Sequence, residues 1–92
     1  MNDMPQDIEY RRAYGSATIK YDLALTLEGA RREAGLSQQQ IAKLCGVSQP
    51  YIARLERGEA NPTIGNIGGL LAVAYGLRLQ FRLEPLITPT VE

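Results

Sequence analysis

Hydrophobic residues recur along this chain at two different periods. Leu23, Leu27, Ala30 and Ala34 follow an i, i+4, i+7, i+11 rhythm, which predicts a helix over residues 21–35 with one buried stripe. Asp22 is a candidate N-cap and Gly35 a candidate stop. Leu25 falls off the stripe and is expected to pack against a preceding short helix. That helix spans 5–15, carries Tyr10 and Tyr14 four apart on one face, and is expected to end at Gly15. Residues 16–22 would connect the two and are free to be extended.

Three further helices follow. Ser37 with Gln40 three positions on forms an S-x-x-Q capping box that opens a helix over 37–45, broken by Gly46. A helix over 48–57 begins at Ser48, has Pro50 in its first turn, and stops at Gly58. Pro50 biases Gln49 away from helical geometry, so Gln49 is expected to share the cap position with Ser48. Thr63 caps a helix over 63–76 that buries Ile64, Ile67, Leu70, Leu71 and Ala74. Gly65, Gly68 and Gly69 weaken it by about 1 kcal/mol each relative to alanine, which close approach of a neighbouring backbone would explain.

The period then changes from 3.6 to 2. In "LRLQFRL" (77–83), Leu77, Leu79, Phe81 and Leu83 share one face, with Arg78, Gln80 and Arg82 on the other. The expectation is a β-strand. A lone strand leaves its backbone unpaired, so it must pair with residues 16–21 or with its own copy in a second subunit. Pairing across a two-fold axis is the simpler choice, because it also adds burial that a 92-residue chain lacks alone. The tail 85–92 contains two prolines and is expected to be extended. The chain thus divides into 1–22 (helix and connector), 23–76 (helical core), 77–84 (dimerisation strand) and 85–92.

Composition narrows the function. There is no histidine and one cysteine, Cys45, so the usual general base, the commonest metal ligand and any intrachain disulfide are missing. No paired carboxylates stand at useful spacing, and "GNIGG" lies in a helix without the strand a phosphate loop requires. Neither enzyme, metal nor cofactor is expected. The longest apolar run, 70–77, is too short for a bilayer, and the first residues are polar and acidic, so a soluble cytoplasmic protein is expected. Cys45 reads as a small helix residue near a turn, and Lys43 as solvent-facing.

Net charge is zero, but its distribution is uneven. Residues 31–58 carry Arg31, Arg32, Lys43, Arg54 and Arg57 against Glu33 and Glu56, a balance of +3; the flanks are −2 and −1. A basic middle suits phosphates and an acidic flank suits a basic protein, while scattered surface charge is the plain alternative.

Residues 37–57 form two short helices joined by a glycine turn, a helix-turn-helix pattern. Ile41 is apolar, Ala42 is small where a second helix crosses, Gly46 permits positive φ, and Val47, Ile52 and Leu55 close the core. "GLSQQQIAKLCGVSQPYIARLERGEANPT" resembles the Cro/C1-type (XRE) helix-turn-helix regulators, which read G-L-[ST]-Q, an apolar-Ala pair, G-[VT]-[ST]-Q and L-E-x-G. The resemblance covers residues 23–76 and implies an all-α, lambda-repressor-like five-helix domain that binds double-stranded DNA as a homodimer on a pseudo-palindromic operator. The tyrosine-bearing N-terminal helix and "GLRLQFRLEP" also resemble the layout of HigA-type antitoxins, which repress their own operon and neutralise a RelE/HigB-like toxin. Stand-alone or phage-type repressors share that frame, and a protein-interaction module that has lost DNA binding is the alternative from another class.

In such a family the helix beginning near Ser48 enters the major groove. That implies base contacts from Gln49, whose amide matches adenine N6 and N7, and from Arg54, which matches guanine O6 and N7 or a phosphate. Tyr51 assists; Pro50 reaches at most a thymine methyl or sugar. Gln38, at a helix N-terminus, is implied to hold a phosphate, with Ser48, Arg57 and Asn61 as further contacts. A solvated helix surface is the plain alternative for these positions. Arg31 and Glu56 are implied to form a structural ion pair rather than a DNA contact. Tyr10 and Tyr14 are candidates for a toxin-binding surface, and Leu77, Leu79, Phe81 and Leu83 for the dimer interface.

Overall fold

The computed structural model describes residues 4–86, with side chains from Asp7 onward. Among the described residues there are four helices: α1 (Met4–Glu33), α2 (Gln38–Cys45), α3 (Gln49–Glu56) and α4 (Ile64–Tyr75). No β-ladder forms among the described residues, and 77–86 run without regular hydrogen bonding.

Two expectations are corrected at the N-terminal end. The predicted helix over 5–15, its connector and the helix over 21–35 are one 30-residue helix, so the five helices become four. Gly15 costs helix stability but does not stop the chain, because no proline follows and its φ is not positive. Thr18 Oγ1 donates back to the Gly15 carbonyl at 3.0 Å and Thr26 Oγ1 to that of Asp22 at 2.8 Å, so these hydroxyls turn inward on the helix. Asp22 is therefore mid-helix rather than a cap, and Leu25, half exposed, has no separate helix to pack against. At about 1.5 Å per residue α1 is roughly 45 Å long, which sets the 50 Å long dimension of the chain.

The core lies beneath the C-terminal half of α1. Leu27 from α1, Ile41 and Ala42 from α2, Ile52 and Leu55 from α3, and Ile67, Leu70 and Leu71 from α4 form one buried cluster. α2 packs against both α3 and α4, and α1 against α3. Local chemistry fixes the helix ends. The Ser37–Gln40 capping box is closed by both of its bonds, at 3.1 and 2.7 Å. Thr63 Oγ1 accepts from the Asn66 N–H at 3.1 Å and opens α4. Gly46 ends α2 at φ +70°, and Gly58 ends the α3 turn at φ +73° with its α-carbon side facing Lys20.

Several burial expectations fail, each for a positional reason. Val47 lies on the turn between α2 and α3, and is 36% exposed rather than closing the core. Ile64 is the first residue of α4, projects past the cluster, and is 77% exposed. Ala34 falls past the end of α1 and is exposed. A Cβ at Gly65, Gly68 or Gly69 would meet nothing within 4 Å, so no neighbouring backbone of this chain explains them.

The strand over 77–83 is corrected as well. The in-chain partner expected for it, residues 16–21, is helical in α1. Without a partner the alternating segment has no ladder to join. Leu79 alone of its apolar face packs on the core; Leu77, Phe81 and Leu83 are 52%, 68% and 100% exposed. Residues 87–92 of the predicted extended tail lie outside the described residues.

Candidate nucleic-acid interface

Ser37–Gln38 and Ser48–Gln49 are the same dipeptide used twice: a serine N-cap followed by a glutamine as the first helical residue. Ser48, at φ −84° and ψ 152°, accepts the Tyr51 N–H at 3.2 Å. Its oxygen therefore caps α3, while the exposed hydroxyl keeps its own O–H to donate outward. Pro50 sits in the first turn without breaking α3. Gln49 is helical, contrary to the expectation that proline would push it into the cap. The cap bond from Ser48 and the Ile52 and Leu55 anchors hold that first turn in helical geometry.

The two glutamines meet. Gln49 Nε2 donates to Gln38 Oε1 at 2.7 Å, and Gln38 Nε2 donates to Glu56 Oε1 at 3.0 Å. Arg31 completes the chain of bonds: its Nε donates to Glu56 Oε2 at 2.7 Å and its NH2 to Glu56 Oε1 at 3.0 Å. Its NH1 donates to the Leu36 carbonyl at 2.9 Å, tying the α1–α2 link to the pair. The Arg31 and Glu56 side chains retain 13% and 7% of their exposure. Burial by itself would raise the Glu56 pKa, but hydrogen bonds from Arg31 and Gln38 outweigh it and hold the carboxyl below the ordinary glutamate value. The Glu56 hydrogen bond raises the Arg31 pKa further. Both groups are thus ionised at neutral pH.

Sequence reasoning treated Gln38 and Gln49 as two separate contacts and missed the bonds that join them to Glu56. The repeated Ser-Gln pair, with both glutamines opening crossing helices, is the signal that could have found them.

Beyond this network the exposed face of α3 carries Arg54, whose guanidinium lies 5.8 Å from the centroid of the Tyr51 ring. Tyr51 is half-buried against the core and Arg54 exposed. Arg57, also exposed, pairs with Glu59 at 3.0 Å, and Asn61 is exposed in the loop before α4. Lys43 is exposed on α2. Cys45 is half-buried with Sγ 3.9 Å from the Leu70 carbonyl, and burial raises its pKa. Far from this end, Tyr10 and Tyr14 stack with ring centroids 6.0 Å apart on the outer half of α1. Among the described residues no group of acidic or cysteine side chains could hold a metal ion, and no helix is long and apolar enough to cross a membrane.

A helix-turn-helix family model, HTH_3, matches residues 27–80. The chain belongs to that family. It is 35% identical over 71 residues to an uncharacterised HTH-type transcriptional regulator of Haemophilus influenzae, covering 77% of this chain and 72% of that one. It is 44% identical over 62 residues to the regulator y4dJ of Sinorhizobium fredii, covering 67% and 74%. The crystal structure of an HTH_3 family transcriptional regulator from Vibrio cholerae superposes with a TM-score of 0.59 at 33% identity. That match covers 62% of this chain, which spans about a third of the Vibrio protein. In this family frame α2 and α3 are the two motif helices, and the Arg31–Glu56 pair binds the helix before the motif to its second helix.

Proposed function

We propose that this helix-turn-helix protein binds double-stranded DNA through α3 and represses transcription by occupying an operator. The observation that carries this reading is the state of Gln49. A glutamine at the outer end of α3 is held by Gln38 at 2.7 Å, beside exposed Arg54, on a helix locked to α1 by an ion pair. A preset side chain loses less freedom on binding than a mobile one. Gln49 and Arg54 read base edges, Tyr51 assists, and Gln38, Ser48, Arg57 and Asn61 contact the backbone. The relatives it resembles are named HTH-type transcriptional regulators, which fits a role in transcription.

The operator is a pseudo-palindrome read by a homodimer, with the two α3 helices one turn of DNA, about 34 Å, apart. Exposed Leu77, Phe81 and Leu83 form an apolar face that a second copy covers by strand pairing. The outer half of α1 supports the narrower antitoxin reading. Ile8 and Tyr10 are 50% and 43% exposed there, and Ile19 and Tyr21, nearer the core, are 66% and 64% exposed. A toxin protein seated on that arm would cover Tyr10 and Tyr14. A mobility shift with the gene's own upstream region tests the DNA reading, and co-purification with the product of an adjacent small basic reading frame tests the antitoxin reading.

A further inference from the structure

In a strand, alternate residues turn their backbone N–H and C=O groups to opposite edges, as their side chains turn to opposite faces. Along residues 77–85 the two edges are not equivalent. On the odd-numbered edge the Leu77 N–H is already held by the Leu71 carbonyl at 3.2 Å, and Pro85 has no N–H to offer. On the even-numbered edge, Arg78, Gln80, Arg82 and Glu84 make no backbone hydrogen bond among the described residues. Only the even edge can carry an uninterrupted ladder.

Charge then selects a register. Arg78 has no carboxylate partner among the described residues, and Arg82 meets Glu84 at 3.8 Å with both side chains exposed. A two-fold axis perpendicular to the segment pairs it antiparallel with its own copy, and the residue on the axis faces itself. With Gln80 on the axis, Arg78 faces the partner's Arg82, and the symmetry repeats the clash. With Arg82 on the axis, that arginine faces its own copy. Like charges directly opposite are destabilising in a sheet. Leu79 on the axis leaves Leu83 beyond the paired strand, and Leu83 on the axis leaves Arg78 without a carboxylate. Phe81 is the centre of residues 77–85, and an axis there resolves every position. Arg78 stands opposite the partner's Glu84, and Gln80 opposite the partner's Arg82. On the apolar face Phe81 meets itself, and the fully exposed Leu83 meets the partner's Leu79, beside the groove lined by Ile19, Leu23 and Ile64.

We propose that two copies of this chain pair through the even edge of residues 77–85, antiparallel about Phe81, with Arg78 and Glu84 forming reciprocal ion pairs between subunits. This register rests on the strand-paired homodimer proposed above and specifies it. A slip to a neighbouring axis would slide one subunit past the other by about 7 Å and change the spacing of the two α3 helices.

Cysteine cross-linking reads the axis. Gln80→Cys, Phe81→Cys, Arg82→Cys and Leu83→Cys are each oxidised in a Cys45→Ala background. On the even edge the two Phe81 positions form a non-hydrogen-bonded pair with α-carbons about 4.5 Å apart, within the span of about 4.4–6.8 Å that a disulfide bridges. Phe81→Cys is therefore expected to give a covalent dimer, and the other three to give none. A Phe81→Cys dimer that does not cross-link, or a covalent dimer from another position instead, would overturn the register.

Charge exchange reads the ion pairs with Phe81 in place, and decides the matter if Phe81→Cys is itself a monomer. In sedimentation equilibrium, Arg78→Glu and Glu84→Arg should each weaken the dimer about tenfold, and the double variant should return to within about threefold of wild type. Arg82→Glu should change it by less than about threefold. Unweakened single variants, a double variant without rescue, or a tighter dimer in Arg82→Glu, which would put Arg82 opposite Arg78, would each overturn the proposal. Wild type that sediments as a monomer at every concentration would refute the homodimer itself. A wild-type dimer that fails the exchange would refute the register alone.

Discussion

Arg31 meets Glu56 through two parallel hydrogen bonds, 2.7 and 3.0 Å long, across 25 residues of sequence. A bidentate guanidinium–carboxylate pair fixes orientation as well as distance. It joins the inner half of α1 to the end of α3, where the exposed Arg57 and Gly58 turn follows. Removing one partner leaves the other ionised and nearly buried. Arg31→Ala is therefore expected to destabilise the fold by about 3–5 kcal/mol, read by urea denaturation. A loss below about 1 kcal/mol would mean that water already screens the pair.

The same pair gives stability a pH dependence. The folded pKa of Glu56 lies below its unfolded value, so its contribution is fully present above the ordinary glutamate value, about 4.3, and is lost as pH falls through the folded pKa. Arg31, whose pKa is raised, stays charged throughout. As pH falls below the ordinary glutamate value, melting temperature should fall more steeply in wild type than in Glu56→Gln. Parallel acid limbs for the two proteins would remove Glu56 as the cause.

The α4 glycines give a prediction of opposite sign. Nothing lies within 4 Å of a Cβ added at Gly65 or Gly69, and neither has positive φ. Gly65→Ala and Gly69→Ala should each stabilise the chain by up to about 1 kcal/mol in thermal unfolding. Gly58→Ala should destabilise it, because φ is +73°, a left-handed conformation that L side chains rarely adopt. Destabilisation by Gly65→Ala would indicate that α4 is covered by a second copy in solution.

The motif was the most legible part of the sequence, since its rules are local. Ser37, Gln40, Gly46, Ser48 and Gly58 mark ends by their own chemistry, and Ile41, Ile52 and Leu55 repeat at helical spacing. The N-terminal half was misread because Gly15 weakens a helix without ending it, and serine and threonine can bond within a helix as well as cap one. Residues 77–83 carry a true strand pattern. A pattern specifies a face, however, and a ladder needs a second strand that the described residues do not offer. At the candidate site, the Arg31–Glu56 pair was legible from the resemblance to a family, but the bonds joining Gln38, Gln49 and Glu56 arise from crossing helices.

That alternating segment leads to a direct test of assembly. If Leu77, Phe81 and Leu83 are covered by a second copy, Phe81→Asp places a charge in the covered face and should convert a dimer to a monomer in sedimentation equilibrium. An unchanged mass would show that these residues do not hold two chains together.

The proposed function rests on α3 reading DNA through Gln49 and Arg54. Binding of the upstream region of the protein's own gene, measured by fluorescence anisotropy across a salt series, tests it most directly. Wild type should bind with affinity that falls steeply as salt rises. Gln49→Ala combined with Arg54→Ala should lose the preference for that DNA over a scrambled duplex, while keeping a wild-type melting temperature. No salt-sensitive binding by wild type, or an undiminished preference in the double variant, would contradict the claim.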